Sequence, residues 1–438
     1  MLYRKIENFI ENYLKSDSNK ILIIDGARQI GKSYIIRYVS KKLFKNYIEL
    51  NLLEDKLKYG LFKHTNSVED FYLQLSMFAG NKMGSKKDTI VFLDEIQEYP
   101  HLLTLLKFLK IDDKFTYIAS GSLLGVTLGN TSSIPIGSIE IKHMFPLDFE
   151  EFLIANNFGS LAIDSIRSKF EKLESLEINV HNKLMDLFKK YLLVGGLPDA
   201  VNEYFSSKNI VKVRQIQSDI HSFYSLDASK YDAENKLKIK RIFEMIPSSL
   251  ENKKKRIVAK NIEGKKGARY SNYQNEFDYL INAGVALEVK AISNPKFPLI
   301  ESSGKNLLKL YLNDVGLFSN ILYRHNISAI LEDENSINLG SVYETVVSSE
   351  LIAHNHKLFY YDNKTKGEVD YLIDDYDSLS ITPLEVKSGK DYTKHNALSS
   401  LLSNREYNIK KAYVLSNQAG IKRLDNIIYL PIYYIMFI

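Results

Sequence analysis

Gly26-Ala27-Arg28-Gln29-Ile30-Gly31-Lys32-Ser33 fits the spacing G-x-x-x-x-G-K-[ST] without exception. The segment follows an apolar run, KILIID, and opens an amphipathic stretch, so a strand, a tight glycine turn and a helix are expected in that order. Glycines let the backbone curl until successive N–H groups face a phosphate, and the helix N-terminus adds favourable potential there. In that arrangement Lys32 reaches the β- and γ-phosphates and the Ser33 hydroxyl ligates Mg²⁺, with Tyr34 closing the binding segment. The ligand these residues imply is ATP with Mg²⁺.

A second element belongs to the same chemistry. Ile90-Val91-Phe92-Leu93-Asp94-Glu95 is an apolar run ending in two carboxylates, and Asp94 lies 62 residues after Lys32. Asp94 suits the water shell of the Mg²⁺, and Glu95 suits a general base that orients and deprotonates an attacking water. An Asp-Glu pair at a strand end is otherwise an ordinary polar cap. The run KFTYIAS leads into Ser120-Gly121-Ser122, where the Ser122 hydroxyl is a candidate sensor of the γ-phosphate; serines at strand ends also form turns.

A different constellation lies near the other end. Asp370 closes KGEVD, and Glu385-Val386-Lys387 follows on the next expected strand. Positions i and i+2 of a strand share a face, so Glu385 and Lys387 point the same way. With Asp370 on the neighbouring strand and Glu344 on the preceding helix, the set resembles the D…E-x-K core of restriction-endonuclease-like folds. Such a core holds Mg²⁺ on Asp370 and Glu385, activates water and stabilises charge on a scissile phosphate. As a three-letter pattern, E-x-K is also a common surface ion pair.

The segment 253–269 carries Lys253, Lys254, Lys255, Arg256, Lys260, Lys265, Lys266 and Arg269 against the single acid Glu263. Tyr270, Asn272, Tyr273 and Gln274 then open a helix expected over 271–283. Basic charge beside a candidate recognition helix points to DNA or RNA contact through 253–274. The alternatives are a solvated loop and a site for an acidic protein.

These residues must be positioned by a chain of 438 residues, long enough for two or three cores. Its net charge of +5 is too small to prove a nucleic-acid partner, and the absence of cysteine excludes disulfides, thiolate metal sites and a cysteine nucleophile. The first residues form an amphipathic helix rather than a signal peptide, and the closing run IIYLPIYYIMFI is too short to span a bilayer and reads as a buried strand. A cytoplasmic protein with no membrane partner is expected. Residues 20–150 alternate strands (20–25, 46–51, 88–94, 114–120, 138–144) with helices, which predicts a parallel sheet covered on both faces. Residues from 147 to 230 read as helical. Two helices and a strand between 235 and 293 suit a winged helix, and mixed elements follow to the end.

The segments GARQIGKS, FLDEIQEYP, ASGSLL and FPLDFEEFL resemble, in order and spacing, the motifs of a large prokaryotic family of AAA-superfamily ATPases. YLLVGGLPDAV, LYLNDVGLF, GSVYETVVSSEL and KGEVDYLI…PLEVKSGK are similar to that family's second domain, long catalogued as of unknown function. The resemblance implies an α/β architecture: an AAA-type P-loop domain at 1–150, a helical region at 151–232, a winged-helix-like segment at 233–295 and a nuclease-like domain at 296–438. It also implies a sensor strand between the strands that lead to Gly26 and end at Asp94. Relatives often carry Gly-Arg before the Pro-Leu-Ser/Asp-Phe segment, whereas here Ser138 follows Gly137. A charge-stabilising arginine must then come from elsewhere in the chain or from another subunit of an oligomer. The expected function is an ATP-hydrolysing switch acting on nucleic acid. An ATP-gated, metal-dependent DNA nuclease and a non-catalytic ATP-binding regulator of a protein partner are the alternatives.

Overall fold

The five apolar runs between residues 20 and 144 are all strands: β1 (Ile21–Asp25), β2 (Asn46–Asn51), β3 (Thr89–Asp94), β4 (Thr116–Gly121) and β5 (Ile139–His143). Every residue of β1 and β3 is buried, as β-rich apolar runs covered on both faces must be. The strands pair in parallel in the order β2-β3-β4-β1-β5. β4 therefore lies between β1 and β3, so the segments that follow these three strands emerge side by side at one edge, where open α/β sheets place their ligands. Among the described residues the helices of this unit include α1 (Lys5–Lys15), α2 (Lys32–Leu43), α3 (Leu52–Lys58), α4 (Val68–Ala79) and α5 (Pro100–Asp112). Leu102 and Leu106 of α5 and Phe71 and Leu75 of α4 join Leu93 and Ala119 in one buried cluster.

The computed structural model describes residues 2–16, 18–125, 137–227, 235–302, 307–324, 326–332, 339–389 and 391–438. The chain divides into two units, Met1–Phe145 with Asn282–Gly284, and Pro146–Ile281 with Val285–Ile438. Among the described residues no helix is long and apolar enough to cross a membrane.

The second unit begins with helices, among them Phe149–Ala155, Ile178–Val194, Ile210–Asp227 and Lys236–Leu250. Its sheet comprises β6 (Ala286–Ile292), β7 (Leu308–Leu312), β8 (Phe359–Asn363), β9 (Gly367–Asp375), β10 (Ser380–Lys387), β11 (Ala412–Ser416), β12 (Lys422–Leu424) and β13 (Ile427–Pro431). The order is β12-β13-β11-β10-β9-β8-β6-β7, with parallel and antiparallel pairings mixed. Two expectations shift here. The strand assigned to a winged helix is β6, which pairs β7 antiparallel and β8 parallel, so residues on both sides of 295/296 share one sheet. The C-terminal apolar run is buried, but only Ile427–Pro431 is strand and Ile432–Phe437 is a 3₁₀ turn.

Two of the segments that resemble the second family domain meet in this unit. Gly196 N–H donates to Asp314 Oδ2 at 2.6 Å, and the Gly196 carbonyl accepts from Leu147 N–H at 2.7 Å. The other Asp314 oxygen caps the helix Val315–Tyr323 by accepting from Leu317 N–H at 2.9 Å. Burial pushes the Asp314 carboxyl up to about 6, against the pull of these backbone donors. A Cβ on Gly196 would lie 2.0 Å from the Leu147 carbonyl oxygen. Gly196→Ala is accordingly expected to cost about 3 kcal/mol through backbone displacement. That corresponds to a melting temperature lower by roughly 6–12 °C for the transition of the second unit, measured by calorimetry.

Candidate active site

The turn after β1 has the backbone that glycine spacing predicts. Gly26 has φ 144° and Gly31 has φ 92°, and Gln29 between them sits at φ 62°, a left-handed conformation that a non-glycine residue adopts at a cost. A Cβ on Gly26 would stand 2.3 Å from the Met144 carbonyl oxygen, so this position requires glycine. Gly31 is the N-cap of α2, which turns the first N–H groups of that helix toward the loop.

Lys32 is 6% exposed, and its ammonium donates to the carbonyls of Gly26 at 2.9 Å and Ala27 at 2.7 Å. Burial pushes its pKa below the ordinary lysine range, while Glu95, Asp25 and Asp94 pull in the opposite direction. Ser33 Oγ donates to Asp94 Oδ1 at 2.9 Å, joining the expected hydroxyl and carboxylate across 61 residues. This pair fits Mg²⁺: a neutral oxygen and an acidic oxygen, both hard donors, lie beside a loop of backbone N–H groups. Burial raises the Asp94 carboxyl, and hydrogen bonds from Ser120 and Ser33 oppose that rise.

Glu95 also occupies the left-handed region, at φ 57°. Its Oε2 accepts from Ser122 Oγ at 3.1 Å and from Gln97 Nε2. Ser122 N–H donates to Gln97 Oε1 at 3.2 Å, and Arg28 Nε donates to Ser122 Oγ at 3.2 Å. The carboxylate expected to handle water is thus linked through one serine to an arginine of the glycine loop. Ile30 is fully buried and Tyr34 half exposed. Sequence reading marked the Ser120-Gly121-Ser122 hydroxyls but not the bond from Ser120 to Asp94, and it missed Gln97 and Arg4, whose guanidinium bonds the carbonyls of Ile30 at 2.9 Å and Phe145 at 2.5 Å. No local pattern marks them, because each acts across at least 25 residues except Gln97 on its neighbour Glu95.

In the second unit, β9 and β10 pair antiparallel with Leu384 opposite Tyr371, a register that sets Asp370 beside Glu385. Asp370 Oδ2 accepts from Val386 N–H at 2.8 Å, and Lys387 Nζ donates to Glu385 Oε1 at 2.7 Å. Glu344, on the helix Gly340–Ala353, is 2% exposed; one oxygen pairs with Lys255 and the other accepts from Tyr311 OH at 2.9 Å. Burial and then Asp370 raise the Glu344 carboxyl, against Lys255 and Lys309. The same causes, burial and Asp370, raise Glu385. The four expected residues do converge, with Glu344 held by an ammonium and a phenol, Asp370 Oδ2 by an amide and Glu385 Oε1 by Lys387. Among the described residues no group of three or more His, Asp or Glu is gathered to hold a metal ion. The Mg²⁺ expected on Asp370 and Glu385 does not fit this arrangement.

The basic segment differs from its expectation in the same way. Lys255 is drawn onto Glu344, and Arg256 bonds Asp362 at 2.7 Å and Glu368 at 3.3 Å. The other six cations, Lys253, Lys254, Lys260, Lys265, Lys266 and Arg269, are exposed. Tyr273 is 2% exposed and donates to Glu263 at 2.8 Å, and Tyr270 stacks on Phe277. Asn272 accepts from Arg269 N–H and Gln274 donates to Asp278, both at or under 2.9 Å. The residues expected to meet base edges are turned to neighbours within the chain.

Comparison with known proteins agrees with this division. Residues 18–153 match the family model described as an AAA domain. Residues 185–328 and 339–435 match two families described as domains of unknown function, DUF8612 and DUF4143. An uncharacterized protein of Haemophilus influenzae is 27% identical over 172 residues, covering 38% of this chain and 42% of its own length. Uncharacterized protein MJ1544 of Methanocaldococcus jannaschii is 24% identical over 373 residues, covering 82% of this chain and 73% of that one. The chain thus spans under half of the first of these relatives. Among solved structures, the Walker-type ATPase paby2304 of Pyrococcus abyssi aligns with a TM-score of 0.44 at 12% identity, over 76% of this chain and 96% of that one. The Thermotoga maritima RuvB Holliday junction branch migration motor aligns with a TM-score of 0.32 at 12% identity, over 65% and 89% of the two chains. The strand order and the Lys32, Ser33 and Asp94 geometry of the first unit agree with the match of residues 18–153 to the AAA domain family.

Proposed function

We propose that the chain binds and hydrolyses ATP as a nucleotide-dependent switch whose second unit meets nucleic acid. The observation that supports it most is the Ser33 hydroxyl on Asp94 Oδ1 at 2.9 Å beside a buried Lys32. Ser33 and Asp94 would hold Mg²⁺, which would supply charge neutralisation on the phosphate oxygens. Lys32 leaves the Gly26 and Ala27 carbonyls to bind those oxygens. Glu95 orients the attacking water and takes its proton, which requires its carboxylate to turn from Ser122 and Gln97. Ser122 then no longer links Glu95 to Arg28, and the guanidinium turns from Ser122 to face the γ-phosphate. Arg28 thereby fills the role that Ser138 cannot.

The test is phosphate release from ATP with Mg²⁺, with and without DNA, alongside binding of a fluorescent ATP analogue. Binding without hydrolysis in either condition would leave only the regulator reading. Arg28→Gln is expected to lower kcat by roughly 10³-fold, the worth of a transition-state arginine elsewhere, with ATP affinity changed far less. A kcat within a few-fold of wild type would remove Arg28 from this role. The nucleic-acid part rests on the six exposed cations of 253–269. DNA affinity is then expected to fall with salt with a slope of about −0.9 per phosphate contacted. The gated-nuclease reading is favoured only by the convergence of Glu344, Asp370, Glu385 and Lys387, and their internal pairing leaves it second.

A further inference from the structure

Ile30 lies in the glycine loop between two left-handed residues, Gln29 at φ 62° and Gly31 at φ 92°. Glycine at 31 lets the peptide between Ile30 and Gly31 rotate, and Gly31 caps α2 with no side chain to hold that peptide. A left-handed non-glycine residue such as Gln29 persists only where its surroundings fix it. In a planar trans peptide the carbonyl and the next N–H point in opposite directions. Whatever holds the Ile30 carbonyl therefore aims the Gly31 N–H.

Arg4 holds it. Its Nη1 donates to the Ile30 carbonyl at 2.9 Å and its Nη2 to the Phe145 carbonyl at 2.5 Å. Arg4 is buried, and burying a cation is costly unless it is well bonded. It is delivered by α1: Arg4 is the N-cap of that helix, and its carbonyl accepts from Glu7 N–H at 2.9 Å. α1 in turn packs on α2, the helix that opens with Lys32, with Ile6 and Ile10 buried and Lys42 of α2 paired with Glu11 at 2.8 Å. The Phe145 end is tied as firmly. Met144 N–H donates to the Asp25 carbonyl at 2.8 Å, and the Met144 carbonyl closes on Gly26, where a Cβ would stand 2.3 Å away. After Phe145 the chain passes out of the first unit. One guanidinium thus joins the peptide leading into Gly31 to the backbone by which the chain leaves that unit.

We propose that Arg4 is a positioning residue of the nucleotide site: it fixes the Ile30–Gly31 peptide so that the Gly31 N–H faces the phosphates, and it ties that orientation to the segment Met144–Phe145. Arg4 acts through backbone and need not touch nucleotide. Because both carbonyls share one guanidinium, a loop held by phosphate also holds the segment through which the chain departs. The inference rests on the nucleotide reading of the glycine loop and deepens it.

The test uses the full-length chain with Mg²⁺ and a fluorescent ATP analogue. Arg4→Ala is expected to bind the analogue about tenfold or more weakly, the worth of one hydrogen bond to a charged group, with kcat at saturating ATP within a few-fold of wild type. Millimolar ethylguanidine should restore that affinity in Arg4→Ala and leave Lys32→Ala unchanged. Affinity near wild type in Arg4→Ala, or a loss that ethylguanidine does not reverse, overturns the proposal. A wild-type measurement guards against a variant that fails to fold. Saturating ATP should slow hydrogen exchange of the Met144 and Phe145 amides together with those of residues 26–33, read by peptide mass spectrometry. Exchange at Met144 and Phe145 that is unchanged by bound ATP also overturns it. The wild type separates this inference from the reading beneath it. No ATP binding there removes both, whereas binding lost in Lys32→Ala but intact in Arg4→Ala removes only the role of Arg4.

Discussion

Lys32→Ala is expected to lower ATP affinity by at least about a hundredfold, close to loss of binding at ordinary concentrations. The ammonium it removes is 6% exposed and answers two loop carbonyls and the charges of Glu95, Asp25 and Asp94. Removing one partner of a buried charged set costs about 3–5 kcal/mol, and each 1.4 kcal/mol is about tenfold in affinity. Part of that cost falls on the free protein, which keeps acidic groups with less counter-charge. Titration with a fluorescent ATP analogue, beside a thermal melt, separates the two contributions. Affinity within a few-fold of wild type would show that the phosphates lie elsewhere.

Glu95→Gln is expected to behave in the opposite way: ATP bound with near-normal affinity, and turnover lower by about 10²–10⁴-fold. The amide oxygen of glutamine still accepts from Ser122 and Gln97, so the resting hydrogen bonds survive. It cannot take a proton from water. Single-turnover phosphate release on stoichiometrically bound ATP isolates the chemical step from product release. If Glu95→Gln hydrolyses at the wild-type rate, the base is another group and the Ser122 link is structural.

What sequence revealed and what it hid divide along a physical line. The glycine loop is legible because its chemistry is local: eight consecutive residues set the φ values, the helix start and the placement of Lys32 and Ser33. Asp94 and Glu95 are legible because they end an apolar run 62 residues after Lys32, with a strand-helix unit between, where such a carboxylate pair is expected. The shared face of Glu385 and Lys387 on β10 is also legible, since period two alone puts them on one side, whereas the register that sets Asp370 beside Glu385 is seen only in the sheet. Ser120, Arg4 and the Lys255–Glu344 pair were hidden, for their partners lie 26 or more residues away and no spacing announces them. The basic segment misled in a particular way: a charge run shows how many cations there are, not which turn inward, and a left-handed turn at Lys255 decides that. Similarly, alternation identified β6 as a strand, but only long-range pairing says which sheet receives it.

That pairing bears on how the chain can be divided for expression. A fragment starting at residue 296 would omit β6, the strand that joins β7 to β8. The unpaired N–H and C=O groups of β8 would then lie open beside fully buried Tyr360 and Tyr361, a template for adding strands from other chains. Such a fragment should collect in inclusion bodies, whereas one beginning at Pro146 keeps all eight strands of the sheet.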